Sequence, residues 1–254
     1  MRVTGIIPAR LESSRLPGKL LLSETGKPLI QHTWESAAES QVLRSGDSLE
    51  LIVATDSLSI AEAVNRFGGR VELTGDHPSG TDRIAEVVRR CCRDTDIVVN
   101  IQGDEPDIDP LAIDQLASLL IDDPHSQMAT LCTPIIEASV LDDPSCVKAV
   151  CAADGRALYF SRSPVPFIRD GDRDSLLAGE SPWRLHLGIY AYRRDFLLRL
   201  AQQPVSPLEE LEKLEQLRAL EMGATIRIAE VEQRSVGIDT PDDYARFVAS
   251  RRAA

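Results

Sequence analysis

Residues 8–19 of the 254-residue chain read PARLESSRLPGK and carry Arg10, Arg15 and Lys19 against one acid, Glu12. The chain as a whole has a formal net charge of -12, so this is a local concentration of cations in an acidic protein. Arginine offers a planar fork to phosphate oxygens and lysine a compact point charge. Ser13 and Ser14 add hydroxyls, and Gly18 allows close backbone approach. Such a segment suits a polyphosphate; read blandly, it is a solvated surface loop with scattered cations. It is not a P-loop, because Leu20 follows Gly18-Lys19 where that motif needs Ser or Thr. The GxGxxG signature of dinucleotide sites is also absent after the first apolar run.

Two further stretches carry carboxylates. In NIQGDEP (100–106), Asp104 lies just past a very apolar segment. A hard cation such as Mg²⁺ takes carboxylate oxygens and keeps waters or substrate phosphates as its other ligands. Taken alone, the motif reads first as a Gly-Asp turn. In GIDTPDD (237–243), Thr240 and Pro241 are explained as a helix cap and first helical residue. Asp239 precedes the cap and is not needed for it; taken alone, it reads first as an exposed loop aspartate. HPSGTDR (77–83) resembles a helix start capped by Thr81 or Ser79, whose free N–H groups could take an anion or a base carbonyl. HLGIY (186–190) places His186 and Tyr190 at i and i+4 of a strand, hence on one face. Those two read equally as the polar tips of a half-buried strand.

Such residues need elements to position them. Apolar runs at 3–7, 49–55, 71–73 and 96–101 read as strands, and helical patterns fill 28–42, 57–67, 81–93 and 110–121. Ile84, Val87 and Val88 point inward in the third of these helices. Strand–helix alternation with short connections implies βαβ crossovers and a largely parallel sheet. Ligands of such sheets bind beyond the carboxyl ends of the strands, where residues 8–19 and Asp104 both fall. After about residue 125 the pattern changes. Segments 128–135, 147–152, 158–161, 185–192 and 226–231 read as strands, and 164–184 as irregular. A long helix is expected over 208–222, with Leu208, Leu211, Leu214 and Leu217 as its core stripe and Glu215 and Gln216 flanking it. The expectation is one domain, 1–254, with an inserted segment near 130–190 for substrate binding or dimerisation.

Composition narrows the function classes. An apolar content of 43% suits a soluble globular protein. No apolar run approaches the roughly 20 residues that span a bilayer, so no membrane role is expected. The N-terminal stretch lacks the pattern of a signal peptide, which sets the expectation of a cytoplasmic protein. Net acidity argues against nucleic acid as a partner. The five cysteines show no CxxC spacing, so reduced thiols are expected and no zinc site.

Seven motifs together resemble one family. IIPARLESSRLPGK, HPSGTDRIAEV, NIQGDEP, LYFSRSPVP, HLGIYAY, LEKLEQLRAL and GIDTPDD occur in the order seen in the CMP-Kdo synthetase (3-deoxy-manno-octulosonate cytidylyltransferase) family of sugar nucleotidyltransferases. The match covers about residues 3–248. The resemblance implies a three-layer α/β/α fold of the nucleotide-diphospho-sugar transferase type, Rossmann-like with a mostly parallel mixed sheet. It also implies a homodimer, dependence on Mg²⁺, and the conversion of CTP and Kdo to CMP-Kdo and pyrophosphate for lipopolysaccharide assembly. By motif, Arg10, Ser14, Arg15 and Lys19 would hold the triphosphate. Pro8 and Ala9, with Gly80 and Arg83, would lie near the cytidine, and Asp104 and Asp239 would bind Mg²⁺. Gln102, Arg162, His186, Tyr190, Glu215 and Gln216 would line the Kdo pocket. Leu20 stands where the family more often has Pro, and Pro78 where a polar residue is common. A cytidylyltransferase for another sugar acid (sialic acid or an amino analogue of Kdo) and a non-catalytic nucleotide sensor are the alternatives.

Overall fold

The computed structural model describes residues 1–232 and 235–253. The chain divides into two compact units, Met1–Ala117 with Ser235–Ala254, and Ser118–Arg234.

The first unit is built on parallel strands. β1 (Val3–Ala9) pairs with β4 (Leu51–Thr55) on one side and β6 (Ile97–Asn100) on the other, and β4 pairs with β5 (Arg70–Leu73). Between β1 and β4, β2 (Arg44–Ser45) and β3 (Ser48–Leu49) form a small antiparallel hairpin. Ile6, Ile7, Ile52, Val53, Val98 and Val99 are all fully buried. Such continuous apolar runs are what a sheet covered on both faces requires. The crossovers are α1 (Leu29–Ala38), α2 (Leu58–Arg66) and α3 (Gly80–Cys91). Ser57 caps α2, and Ser79, rather than Thr81, caps α3. Helix α1 stops at Ala38, short of residue 42. The Val42 N–H and the Ser40 hydroxyl donate to the Asp114 carboxylate instead, at 3.0 and 2.6 Å. Asp114 belongs to α4 (Pro110–Asp122), within which the boundary between the units falls.

Two details of this unit set up its chemistry. Beyond β1, Gly18 takes a left-handed conformation (φ 65) that opens a 3₁₀ turn, Lys19–Leu21. Leu20 is buried there and anchors the turn. The C-terminal helix α10 (Pro241–Ala253) begins with a reciprocal cap. The Thr240 hydroxyl and N–H donate to the Asp243 carboxylate, and the Asp243 N–H returns a bond to the Thr240 hydroxyl. Tyr244 on that helix accepts from the Glu24 N–H and donates to the Glu24 carboxylate, fastening α10 to the segment after the turn.

In the second unit, β7 (Met128–Pro134) pairs antiparallel with β10 (Arg184–Arg193) and parallel with β11 (Ile226–Glu230). β8 (Lys148–Cys151) runs antiparallel to both β10 and β9 (Ala157–Ser161). The short helices α5 (Ala138–Asp142), α6 (Arg173–Ala178) and α7 (Arg194–Leu200) lie between strands. Helix α6, capped by Asp172, interrupts the stretch expected to be irregular. A small core gathers Ile135, Leu141, Leu177, Trp183 and Leu185.

The helix expected over 208–222 is two helices, α8 (Pro207–Glu212) and α9 (Glu215–Glu221). Lys213 breaks them apart with a positive φ of 53, and Leu214 is extended. The break turns Leu211 outward to 80% exposure, so it leaves the expected core stripe, whereas Leu214 and Leu217 are buried. Arg218 ties the two pieces together. Its guanidinium meets the Glu209 carboxylate at 2.8 Å, with side chains 9% and 12% exposed, and Glu215 at 3.4 Å. Removing Glu209 leaves the guanidinium with the more distant Glu215 and the Leu200 and Gln203 carbonyls, and loss of a hydrogen bond to a charged group typically costs about 1.5–3 kcal/mol. Glu209→Ala is therefore expected to lower unfolding stability by that order in urea titrations, and Glu210→Ala, on the exposed side of the same helix, to leave it nearly unchanged.

Candidate active site

The first unit brings its candidate residues to the carboxyl ends of β1 and β6. Lys19 leaves the 3₁₀ turn and donates to Asp104 Oδ2 at 2.5 Å, to Asp239 Oδ1 at 2.9 Å and to the Ile238 carbonyl at 2.9 Å. An ammonium has three protons, and all three are used. The Lys19 side chain is 12% exposed. Burial alone would lower its pKa, but the two carboxylates more than offset that, and the net shift is upward. Arg15 reaches the other oxygen of Asp239 at 2.9 Å.

Each acid is held from below. The Gln102 carbonyl accepts the Glu105 N–H at 3.3 Å, which folds residues 102–105 into a turn past β6. Gly103 fits inside that turn because a Cβ there would lie 3.3 Å from Ile7, Ile30 and the Pro8 carbonyl. The Ile238 N–H donates to the Asp104 carbonyl at 2.9 Å, so the backbone stitches the two acidic segments side by side. Glu105 turns the other way and accepts from the Ser235 hydroxyl. Burial, with a smaller push from the Asp104 charge, raises its carboxyl to about 7 against the lowering effect of that bond. Glu105 was not singled out in the sequence, although it stands beside Asp104 in the same motif.

The remaining first-unit candidates divide. Arg10 and Ser14 lie exposed on the loop with Arg15, and Pro8 and Ala9 close β1. Gly80 packs over Pro8, where a Cβ would sit 3.4 Å from the proline ring, so the α3 N-terminus adjoins the start of the cationic loop. Arg83 is 4% exposed and committed to structure. It donates to Asp56 at 2.8 Å and to the Thr74 hydroxyl at 2.6 Å.

In the second unit, His186 and Tyr190 share a face of β10, with ring centroids 5.4 Å apart. A register shift lies between Leu187 and Tyr190. Thr130 on β7 fills it: its hydroxyl donates to the Ile189 carbonyl at 2.8 Å and lies 3.0 Å from His186 Nε2. A hydroxyl whose proton is so used accepts from the ring, which fits a neutral imidazole donating from Nε2. Burial pushes His186 down to about 3. Burial, and then the Glu215 charge, push the Tyr190 phenol up. Tyr190 donates to Gln216 Oε1 at 3.3 Å, while the buried Gln216 Nε2 has no hydrogen-bond partner among the described residues. Arg162 points elsewhere in this unit. Its guanidinium donates to the carbonyls of Glu212 at 2.6 Å and Pro144 at 2.8 Å, and its N–H to the Glu212 carboxylate at 2.9 Å. It thereby holds the turn preceding Glu215 and Gln216. Thr130 and Glu212 carry no sequence signal beyond being polar residues in ordered elements.

Two carboxylates and one carbonyl converge on the Lys19 ammonium, and oxygen donors of this kind are the ones a hard cation takes.

Comparison with known proteins places the chain in a family. A family model described as cytidylyltransferase matches residues 4–228. A 3-deoxy-manno-octulosonate cytidylyltransferase of Rhodopirellula baltica is 50% identical over 252 residues, with 98% of each chain covered. One of Geobacter sulfurreducens is 47% identical over 253 residues, again with 98% of each chain covered. A solved structure of CMP:2-keto-3-deoxy-manno-octonic acid synthetase complexed with CTP matches at a TM-score of 0.90 and 42% identity, covering 100% of this chain and 99% of that one. A cytidylyltransferase from Leptospira borgpetersenii, 17% identical, covers 100% of this chain and 88% of its own at a TM-score of 0.63, and shares the fold.

The buried imidazole carries a pH dependence. His186 binds fewer protons folded than unfolded between pH 6.5 and about 3. Its contribution is thus complete above 6.5 and lost as pH falls, by about 1.4 kcal/mol per unit. Urea unfolding of His186→Gln at pH 7.5, 5.5 and 4.5 should show a shallower loss of stability with acid than wild type; parallel curves would refute the neutral buried ring.

Proposed function

We propose that this chain, which belongs to the cytidylyltransferase family, transfers the cytidylyl group of CTP to Kdo, giving CMP-Kdo and pyrophosphate for lipopolysaccharide assembly. The observation that carries this reading is the full-length match to the synthetase complexed with CTP.

Such transfers rest on positioning and charge stabilisation, with little covalent work for the protein. The C2 hydroxyl of the sugar acid attacks the α-phosphorus, and the bond to the pyrophosphate oxygen breaks. Arg10, Arg15 and Lys19 supply cations for the triphosphate, and Ser14 a hydroxyl. Asp104 and Asp239 would hold Mg²⁺, which when bound offsets charge on the phosphates and favours ionisation of the attacking hydroxyl. In the second unit, Gln216 Nε2, without a hydrogen-bond partner among the described residues, is a buried donor suited to a carboxylate or hydroxyl oxygen of the sugar acid. His186, kept neutral, offers hydrogen bonds without a charge. Arg162 acts through the turn before Glu215 and Gln216. Gln102 lies at the start of the turn that presents Asp104.

Among the described residues no helix is long and apolar enough to cross a membrane; the proposed reaction uses CTP and is placed by this reading in the cytoplasm. The proposed enzyme is a homodimer; exposed Ile136, Leu158 and Phe167 offer apolar surface for pairing.

Pyrophosphate release should require CTP, Kdo and Mg²⁺ together. Release with sialic acid or an amino analogue but not Kdo would overturn the substrate, and CTP binding without turnover would indicate a sensor. Loss of one charge-stabilising group typically costs on the order of 10²–10³ in rate, and Asp104→Asn is expected to fall in that range while remaining folded.

A further inference from the structure

The four charged groups at the carboxyl ends of β1 and β6 form a closed set. Asp104 and Asp239 supply two negative charges, and Lys19 and Arg15 two positive ones. The sum is zero. Every proton of the Lys19 ammonium has an acceptor, and two of those acceptors are the carboxylates assigned to the metal. A divalent cation approaching this cluster meets no net negative charge, and its ligands are already in use.

We propose that Lys19 is a built-in competitor for the cation site: in the nucleotide-free enzyme it occupies Asp104 and Asp239, and it releases them when a triphosphate draws it away. This rests on reading those two aspartates as the cation ligands. Lys19 then has two successive partners, the carboxylates first and the phosphates second. A triphosphate that takes up both Lys19 and Arg15 leaves the carboxylate pair with two uncompensated charges, the state in which a divalent ion binds best. Nucleotide binding and metal binding are thereby coupled through one side chain, and the coupling is reciprocal. The lysine can move while the carboxylates stay. Asp104 and Asp239 are fixed by the backbone bond between Ile238 and Asp104 and by the Thr240–Asp243 cap, whereas Lys19 sits on a short turn entered through Gly18.

The test measures metal binding, not turnover. Mn²⁺ is titrated into the full-length protein without nucleotide, and free Mn²⁺ is counted by electron paramagnetic resonance. Wild type is expected to bind weakly. Lys19→Met should bind about tenfold or more tightly, within the usual span of coupling between sites. Lys19→Arg, which keeps the charge, should resemble wild type. Lys19→Gln, neutral and still able to hydrogen bond, replaces Lys19→Met if the latter does not fold. The double variant Lys19→Met/Asp104→Asn should lose the gain. Equal affinity in wild type and both neutral variants overturns the proposal, as does a gain that survives in the double variant. An enzyme inactive towards Kdo would refute the proposed reaction and leave this measurement unaffected.

Discussion

The chemistry of the first unit depends on one lysine. Lys19 reaches partners 85, 219 and 220 residues further along the chain, and its ammonium is the point on which three segments converge. Two carboxylates held side by side repel, and in a partly enclosed setting that repulsion is weakly screened. The lysine removes it. The positions of the first loop, the turn after β6 and the start of α10 are thus set partly by an electrostatic requirement, with backbone bonds supplying the rest. A P-loop solves a related problem within one segment, with its lysine and its metal-binding hydroxyl adjacent in sequence. Here the lysine is followed by Leu20, which is buried and anchors the turn, and the two carboxylates come from elsewhere in the chain.

Around β10 the second unit follows a different rule, because the polar groups there are buried and uncharged. His186 is neutral, the Tyr190 phenol keeps its proton, and Thr130 satisfies the carbonyl left free where β10 departs from regular pairing. Such groups are costly unless hydrogen-bonded. An exception among the described residues is Gln216 Nε2, and an unmet donor beside satisfied neighbours is where a ligand oxygen gains most. A buried ion-pair cluster sits at the break between α8 and α9, where Arg218 faces Glu209 and Glu215.

Much of this was legible in the sequence because its signals are local. Strands such as Ile97–Asn100 are short apolar runs opening after a polar residue, here Asp96, and Ser57, Ser79 and Thr240 announce helix starts by side-chain chemistry that acts within three residues. The carboxyl-end rule for parallel sheets placed both the cationic loop and Asp104. The break at Lys213 was not legible. LEKLEQL contains neither Gly nor Pro, and its heptad-like leucines favour one continuous helix. What breaks it is tertiary: Arg162 binds the Glu212 carbonyl, Glu212 accepts from Ser161 and Arg162, and those partners are some fifty residues away. The end of α1 likewise depends on Asp114, more than seventy residues on.

The same distinction explains why residue types could be identified in the sequence but not their states. The composition of the first loop suits Lys19 to phosphate, and the family resemblance implies metal for Asp104, as if each waited for its ligand. Folding without ligands does not leave charges waiting. Opposite charges brought within reach neutralise one another unless the backbone forbids it, and here the backbone presents the Ile238 carbonyl as a third acceptor. A site for a triphosphate and a divalent cation contains, by its own composition, the groups that can satisfy each other when both are absent. Its ligand-free state is therefore a specific, closed arrangement, and binding exchanges one set of ion pairs for another.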